Sequence, residues 1–217
     1  MTPKTLMPPP PPRSSGAFAG SGGTRGPSSG HARAVALAVL SLVLALGGCR
    51  SKSGPRPANW AQPVASASIK NWYRVDADVF RSEQPTRAAF EEMRAKGIRT
   101  VINLRHDLSD ESLTSGLGFG LVEIPIRAWG FSEDEIVKVL KAVQAAPKPV
   151  LVHCQMGSDR TGVVIAMYRV VFQGWTKKDA LAELEDGGFG FHRYYLNIPA
   201  FVKSADVARV KAKLKTG

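Results

Sequence analysis

The sequence predicts an α/β fold, with a mainly parallel central sheet covered by helices on both faces. Three observations carry this reading. Short apolar runs alternate with amphipathic stretches from about residue 69 to the C-terminus, and strands that alternate with helices build a parallel sheet. The run Val150-Leu151-Val152 is apolar without alternation, as in a strand buried on both faces. Residues 162–172 are apolar nearly all round, as befits a central helix.

Taken in chain order, residues 79–81 read as a short strand. Residues 86–95 read as a helix closed by Gly97, because glycine accepts the left-handed backbone that ends helices. Strands are expected at 98–104 and 121–126. Residues 132–145 read as a helix: Ile136, Val139, Leu140 and Val143 share one face, and Ser132 with Glu135 forms a capping-box pair at its start. The strand at 150–152 and the helix at 162–172 follow. Thr176 caps a helix over 176–184, and residues 199–213 read as one basic amphipathic helix.

The N-terminal third differs in kind. Residues 1–33 are rich in Pro, Gly and Ser and cannot bury enough apolar surface to offset chain entropy, so disorder is expected there. Residues 34–46 form a 13-residue apolar run, short for a bilayer span but of the length of a signal-peptide core. The run ends in Leu46-Gly47-Gly48-Cys49, which resembles a bacterial lipobox. That resemblance implies cleavage before Cys49, lipidation of its thiol, and a domain held in the bacterial cell envelope on the periplasmic or extracellular side. An uncleaved membrane anchor is the alternative. Residues 50–68 read as a linker, and the folded domain as 69–217.

Charge narrows the function classes. The net charge is +11, but residues 1–58 hold seven Lys or Arg and no Asp or Glu. The remainder carries 22 basic against 18 acidic residues, which argues against a nucleic-acid partner and suits a site that attracts phosphorylated substrates. With two cysteines, Cys49 and Cys154, a disulfide framework is excluded.

The chemistry centres on His153-Cys154-Gln155-Met156-Gly157-Ser158-Asp159-Arg160-Thr161-Gly162. A buried strand ends, a loop of small and polar residues follows, and a helix starts near Thr161. Such strand ends carry sites in α/β sheets, and the helix start offers free N–H groups and a positive dipole end. Gly157 lets the backbone turn inward so that successive amides converge on one oxyanion. Arg160 lies six residues after Cys154, where its planar fork can grip two phosphate oxygens. The field that binds phosphate also favours a thiolate at Cys154, a nucleophile able to split hydrolysis into two steps. Thr161 can donate to that sulfur, and His153 reads as a buttress of the loop. Chance would place these residue types around a given cysteine on the order of one time in 10^5, which sets aside an inert buried thiol.

This pattern, His-Cys-x5-Arg-Thr, resembles the phosphate-binding loop of the protein tyrosine phosphatase superfamily. Residues 79–85 and 96–105 look like the atypical dual-specificity phosphatases of bacterial and plant-fungal type, and the similarity covers nearly all of residues 72–203. It implies a phosphocysteine intermediate, substrate contacts from Gln155, Met156, Gly157, Ser158, Arg160 and Thr161, and no cofactor or metal. Many relatives place an acidic Asp about thirty residues before the cysteine, but residues 123–130 here hold none. Asp159 is favoured as general acid because it sits beside the thiolate and because some relatives carry Asp there. Asp134, with Glu133 and Glu135, is the alternative, although carboxylates in a first helical turn also simply favour the dipole.

Further candidates are Arg105, Trp129 and Phe131 for the pocket wall; His192 and Arg193 read as structural. The expected activity is hydrolysis of phosphomonoesters by a tyrosine or dual-specificity protein phosphatase. A phosphoinositide or inositol phosphate phosphatase is the alternative, the uncharged Gln155, Met156 and Ser158 tilting toward phosphoprotein or phospholipid substrates. A phosphate-binding module without turnover is the reading from another class, and a rhodanese-like sulfurtransferase a third. Partners are then a phosphorylated substrate and, through a lipidated Cys49, the membrane.

Overall fold

The structure, a computed structural model, describes residues 55–216. The expectations for residues 1–49, including lipidation at Cys49, fall outside the described residues. The sheet has six strands in the order β1(Gln62–Pro63), β2(Tyr73–Arg74), β3(Val79–Ser82), β6(Val150–His153), β4(Thr100–Asn103), β5(Gly120–Glu123). β3, β6, β4 and β5 run parallel, and β1 and β2 add antiparallel at one edge. The helices are α1(Arg87–Ala95), α2(Glu111–Thr114), α3(Glu133–Ala145), α4(Asp159–Phe172), α5(Lys177–Asp186), α6(Asn197–Ser204) and α7(Val207–Lys215).

Both sheet faces are covered. Val79, Ile102, Val150 and Val152 point into a core shared with α3 to α7, while Val101 and Leu151 point to the opposite side, where Phe90 and Met93 of α1 cover them. This alternation is the period-two geometry of strands, and both sets being apolar is what a twice-buried sheet requires. Helix α4 packs at the centre, with Val163 to Met167 all buried.

Local signals set most boundaries. Ser132 accepts from the Glu135 N–H while the Glu135 side chain accepts from the Ser132 N–H, so the capping box is present. Thr86 and Thr176 cap α1 and α5 with one bond each, their hydroxyls accepting from the Ala89 and Asp179 N–H groups. The expected strand 121–126 stops at Glu123, although the Ile124 and Ile126 N–H groups still donate to the Asn103 and Leu104 carbonyls. The expected single helix over 199–213 is two: the chain turns at Ala205, and Asp206 caps α7 by accepting from the Arg209 N–H.

The expected linker is corrected more substantially. The folded body begins near residue 55, not 69. Gln62 and Pro63 pair with β2, and Ala61 is fully buried with its N–H on Glu183. Pro- and Ser-rich composition suggested an extended tether, but an edge strand also tolerates it.

Candidate active site

Strand β6 delivers His153 to the C-terminal edge of the sheet, and the loop Cys154–Ser158 leads directly into α4. Three successive carbonyls of that loop are tied outward. The Gln155 carbonyl accepts from the Gln84 N–H at 3.1 Å. The Met156 carbonyl accepts from Asn71 Nδ2 at 2.7 Å, and the Gly157 carbonyl from Arg81 Nη2 at 2.6 Å. In a trans peptide the C=O and N–H point in opposite directions. Fixing these carbonyls therefore aims the N–H groups of Met156, Gly157 and Ser158 the other way. Among the described residues, none of those three amides donates to a protein acceptor. Ser158 also gives α4 no side-chain cap, so the helix start stays available to an anion.

Gly157 has a backbone φ of +69°, and a Cβ there would lie 2.5 Å from the Ser82 carbonyl carbon and oxygen. Only glycine satisfies both the left-handed conformation and the close approach. Ser158 is turned away: its hydroxyl donates to the Phe189 carbonyl at 2.6 Å, so the residue offers the site only its amide.

His153 is buried and acts as a buttress, as expected. Its Nε2 lies 2.6 Å from Asp110 Oδ2. Asp110 Oδ1 accepts from Gln84 Nε2 at 2.7 Å, and Gln84 Oε1 accepts from Arg105 Nη1 at 2.8 Å. Arg105 thus braces the network behind the loop and does not line the cleft; His106 does.

Cys154, Gln155, Met156, Asp159 and Arg160 open onto one cleft of about 820 Å³. Cys154 is 2% exposed and is a free thiol. Thr161 is fully buried with an unpartnered hydroxyl. Arg160 is held by one bond from Nη1 to the Leu104 carbonyl at 3.4 Å, which leaves donors free for a phosphoryl group. Asp159 opens α4; its Oδ1 accepts from the His192 N–H at 3.0 Å and its Oδ2 lies 2.8 Å from His192 Nδ1. His192 is thus a cleft residue that sequence reasoning assigned only to structure.

The opposite wall is aromatic. Trp129 stacks near-parallel on Tyr194 and leans on Tyr195, and both tyrosines line the cleft. Phe131 instead packs on Phe201. Arg193 pairs with Glu185 and Asp186. Asp134 pairs with Lys213 at 2.6 Å, and Glu133 with Arg209 and Lys213, on the surface between α3 and α7 and away from the Cys154 cleft. Asp159 is therefore the carboxylate brought to the candidate nucleophile. No group of three or more His, Cys, Asp or Glu side chains among the described residues is arranged to hold a metal.

The residues missed in sequence reasoning, Asn71, Arg81 and Asp110, hold the loop from behind. Arg81 lies within residues 79–85, which resemble the family, but its partner Gly157 is 76 positions away, beyond any local pattern.

Comparison with known proteins agrees with this geometry. A family model described as "DSP-PTPase phosphatase fused to NAD+ Kinase" matches residues 55–194. The dual specificity protein phosphatase TpbA of Pseudomonas aeruginosa strain UCBPP-PA14 is 35% identical over 190 residues, 85% of each chain. The crystal structure of P. aeruginosa TpbA superposes with a TM-score of 0.67 at 34% identity, covering 73% of this chain and 98% of that one. The cysteine-to-serine variant of TpbA, in complex with phosphotyrosine, gives 0.68 at 32% identity, covering 75% and 99%. The core catalytic domain of the PP-IP phosphatase SIW14 from S. cerevisiae shares the fold, with a TM-score of 0.59 at 20% identity, covering 69% of this chain and 95% of that one. The chain belongs to the cysteine-dependent dual-specificity phosphatases of the protein tyrosine phosphatase superfamily.

Proposed function

We propose that this phosphatase hydrolyses phosphotyrosine in proteins, with Cys154 as nucleophile, Arg160 as phosphate clamp and Asp159 as general acid. The observation that carries this is the convergence of these three side chains on one cleft, behind a loop whose amides are aimed and unengaged. The aromatic wall of Trp129, Tyr194 and Tyr195 suits a phenyl ring, and a relative's structure holds phosphotyrosine.

The Cys154 sulfur attacks phosphorus, forming a P–S bond as the P–O bond to the tyrosine breaks. Amides of the loop and Arg160 take up the charge on the equatorial oxygens. Asp159 delivers its proton to the departing phenolate oxygen. Water then attacks the phosphocysteine, Asp159 accepts its proton, the P–S bond breaks, and the thiolate leaves. The His192 contacts hold the Asp159 carboxyl in place, since both of its oxygens are engaged.

Kinetics on p-nitrophenyl phosphate and on a phosphopeptide panel test this. Cys154→Ser is expected to lower kcat by about four orders of magnitude or more. Asp159→Asn is expected to cost about 100-fold on a phosphotyrosine peptide and far less on the activated aryl ester, whose leaving group needs little protonation. Equal losses on both substrates would remove Asp159 from the acid role. Preferential turnover of an inositol polyphosphate would overturn the substrate.

The same proposal places the enzyme in the cell envelope, anchored by a lipid on Cys49. Support comes from the apolar run 34–46 and its Leu-Gly-Gly-Cys ending. Palmitate labelling that survives Cys49→Ser would refute the anchor.

A further inference from the structure

We propose that Arg81 is a buried second cation of the phosphate site, placing positive charge behind the Cys154 sulfur while it aims the Ser158 amide. This rests on the reading of Cys154 as the nucleophile. Arg81 sits on β3 outside the signature loop and is 1% exposed. Its guanidinium carbon lies 3.6 Å from the centre of the Phe189 ring, and Nη2 donates to the Gly157 carbonyl. Its Nε is buried without a partner. No carboxylate lies within ion-pair distance of it among the described residues.

Such a cation needs an explanation, because an unpaired buried charge costs several kcal/mol by general estimates. The charged and titratable groups whose fields act on it are Glu183 on α5, Cys154 in the loop, Tyr73 on β2 and Arg56 in the N-terminal segment. Glu183 is already committed: Arg169 grips both of its oxygens at 2.8 and 2.7 Å, and the Ala61 N–H adds a third contact. Arg56 only adds repulsion, standing on the same Phe189 ring at 5.1 Å. Burial pushes Arg81 down to about 10, which still leaves it charged at neutral pH. The thiolate of Cys154, and after it the phosphoryl oxygens, are the anions that complete this cluster. A charge that is unbalanced in the protein with a neutral thiol becomes balanced when the nucleophile ionises.

The peptide geometry adds a second role for the same side chain. Holding the Gly157 carbonyl outward turns the Ser158 N–H inward. The neutral donors Gln84 and Asn71 do this for the preceding peptides. Arg81 differs from them in carrying charge.

The test is the pH dependence of inactivation of the full-length enzyme by iodoacetamide, for wild type, Arg81→Gln and Arg81→Lys, with thermal melts of each. In wild type, inactivation is expected to track modification of Cys154 by mass spectrometry; modification without inactivation would overturn the nucleophile reading itself. Arg81→Gln keeps a donor and loses the charge, so its profile should move to higher pH and its inactivation at pH 5.5 should slow about tenfold. Arg81→Lys keeps the charge and should stay within about threefold of wild type. A Gln profile that matches wild type, or Gln and Lys profiles displaced alike, would overturn the role of the charge. Should the Gln variant fail to fold, a tenfold slowing in Arg81→Lys would do the same, and a wild-type profile in it would support the proposal.

Discussion

The two sides of the cleft are built on different principles. On the nucleophile side, the carbonyls of Gln155, Met156 and Gly157 are all bonded outward, the buttress His153–Asp110 is buried, and Gly157 admits no side chain. On the facing side, Trp129 is 63% exposed and Tyr194 57%, and they are held largely by stacking. The difference separates tasks. Stabilising charge in a transition state needs donors fixed before the reaction. Gripping a side chain of a protein substrate needs apolar area at the surface, where a single change alters affinity more than rate.

The largest effect that would break this contrast is on the fixed side. Arg160→Lys keeps the charge but loses the planar fork. We expect kcat/KM for p-nitrophenyl phosphate to fall about 1000-fold, near 4 kcal/mol of transition-state stabilisation. A loss under tenfold would mean that net charge alone holds the phosphoryl group and that the preset geometry of the loop matters little.

On the aromatic wall, Trp129→Ala should act on binding. KM for a phosphotyrosine peptide is expected to rise about fivefold, near 1 kcal/mol, with kcat nearly unchanged. Steady-state kinetics on peptide and on p-nitrophenyl phosphate separate the two terms. A fall in kcat on both substrates would assign the wall to the chemical step and collapse the distinction between the two sides.

What was legible in the sequence follows the same division. Cys154, Gly157, Asp159 and Arg160 could be read because one loop carries them at fixed spacing between a buried strand and a helix. The capping box of Ser132 and Glu135 was legible for the same reason. The supports were not, since Arg81, Asn71 and Asp110 meet the loop from 76, 85 and 43 positions away. The segment 55–68 was misread because its composition resembles a tether, while its burial depends on pairing with β2 and on Glu183, 122 residues beyond Ala61. His192 reads as structural because nothing local shows that Asp159 lies against it. The candidate chemical groups are local in sequence, whereas their positioning is tertiary.

The smallest effect concerns what holds the base of the exposed wall. The segment with Trp129 enters α3, whose first residue Glu133 binds Arg209 at 2.6 Å and Lys213 at 2.9 Å on α7. Hydrogen bonds from Arg209 and then Lys213 hold the Glu133 carboxyl down at about 2, from an ordinary 4.5. A depressed folded-state value means the clamp contributes fully above about 4.5 and is lost as pH falls toward 2. Its partners face water, so screening keeps the effect small. Glu133→Gln should lower Tm at pH 6 by about 1–2 °C, and the difference from wild type should vanish near pH 2. A Tm loss that persists undiminished to pH 2 would show that Glu133 acts through packing. If the variant also raises KM as Trp129→Ala does, the clamp on α7 sets the position of the recognition wall, and the exposed side of the cleft is then held by surface charge where the nucleophile side is held by buried hydrogen bonds.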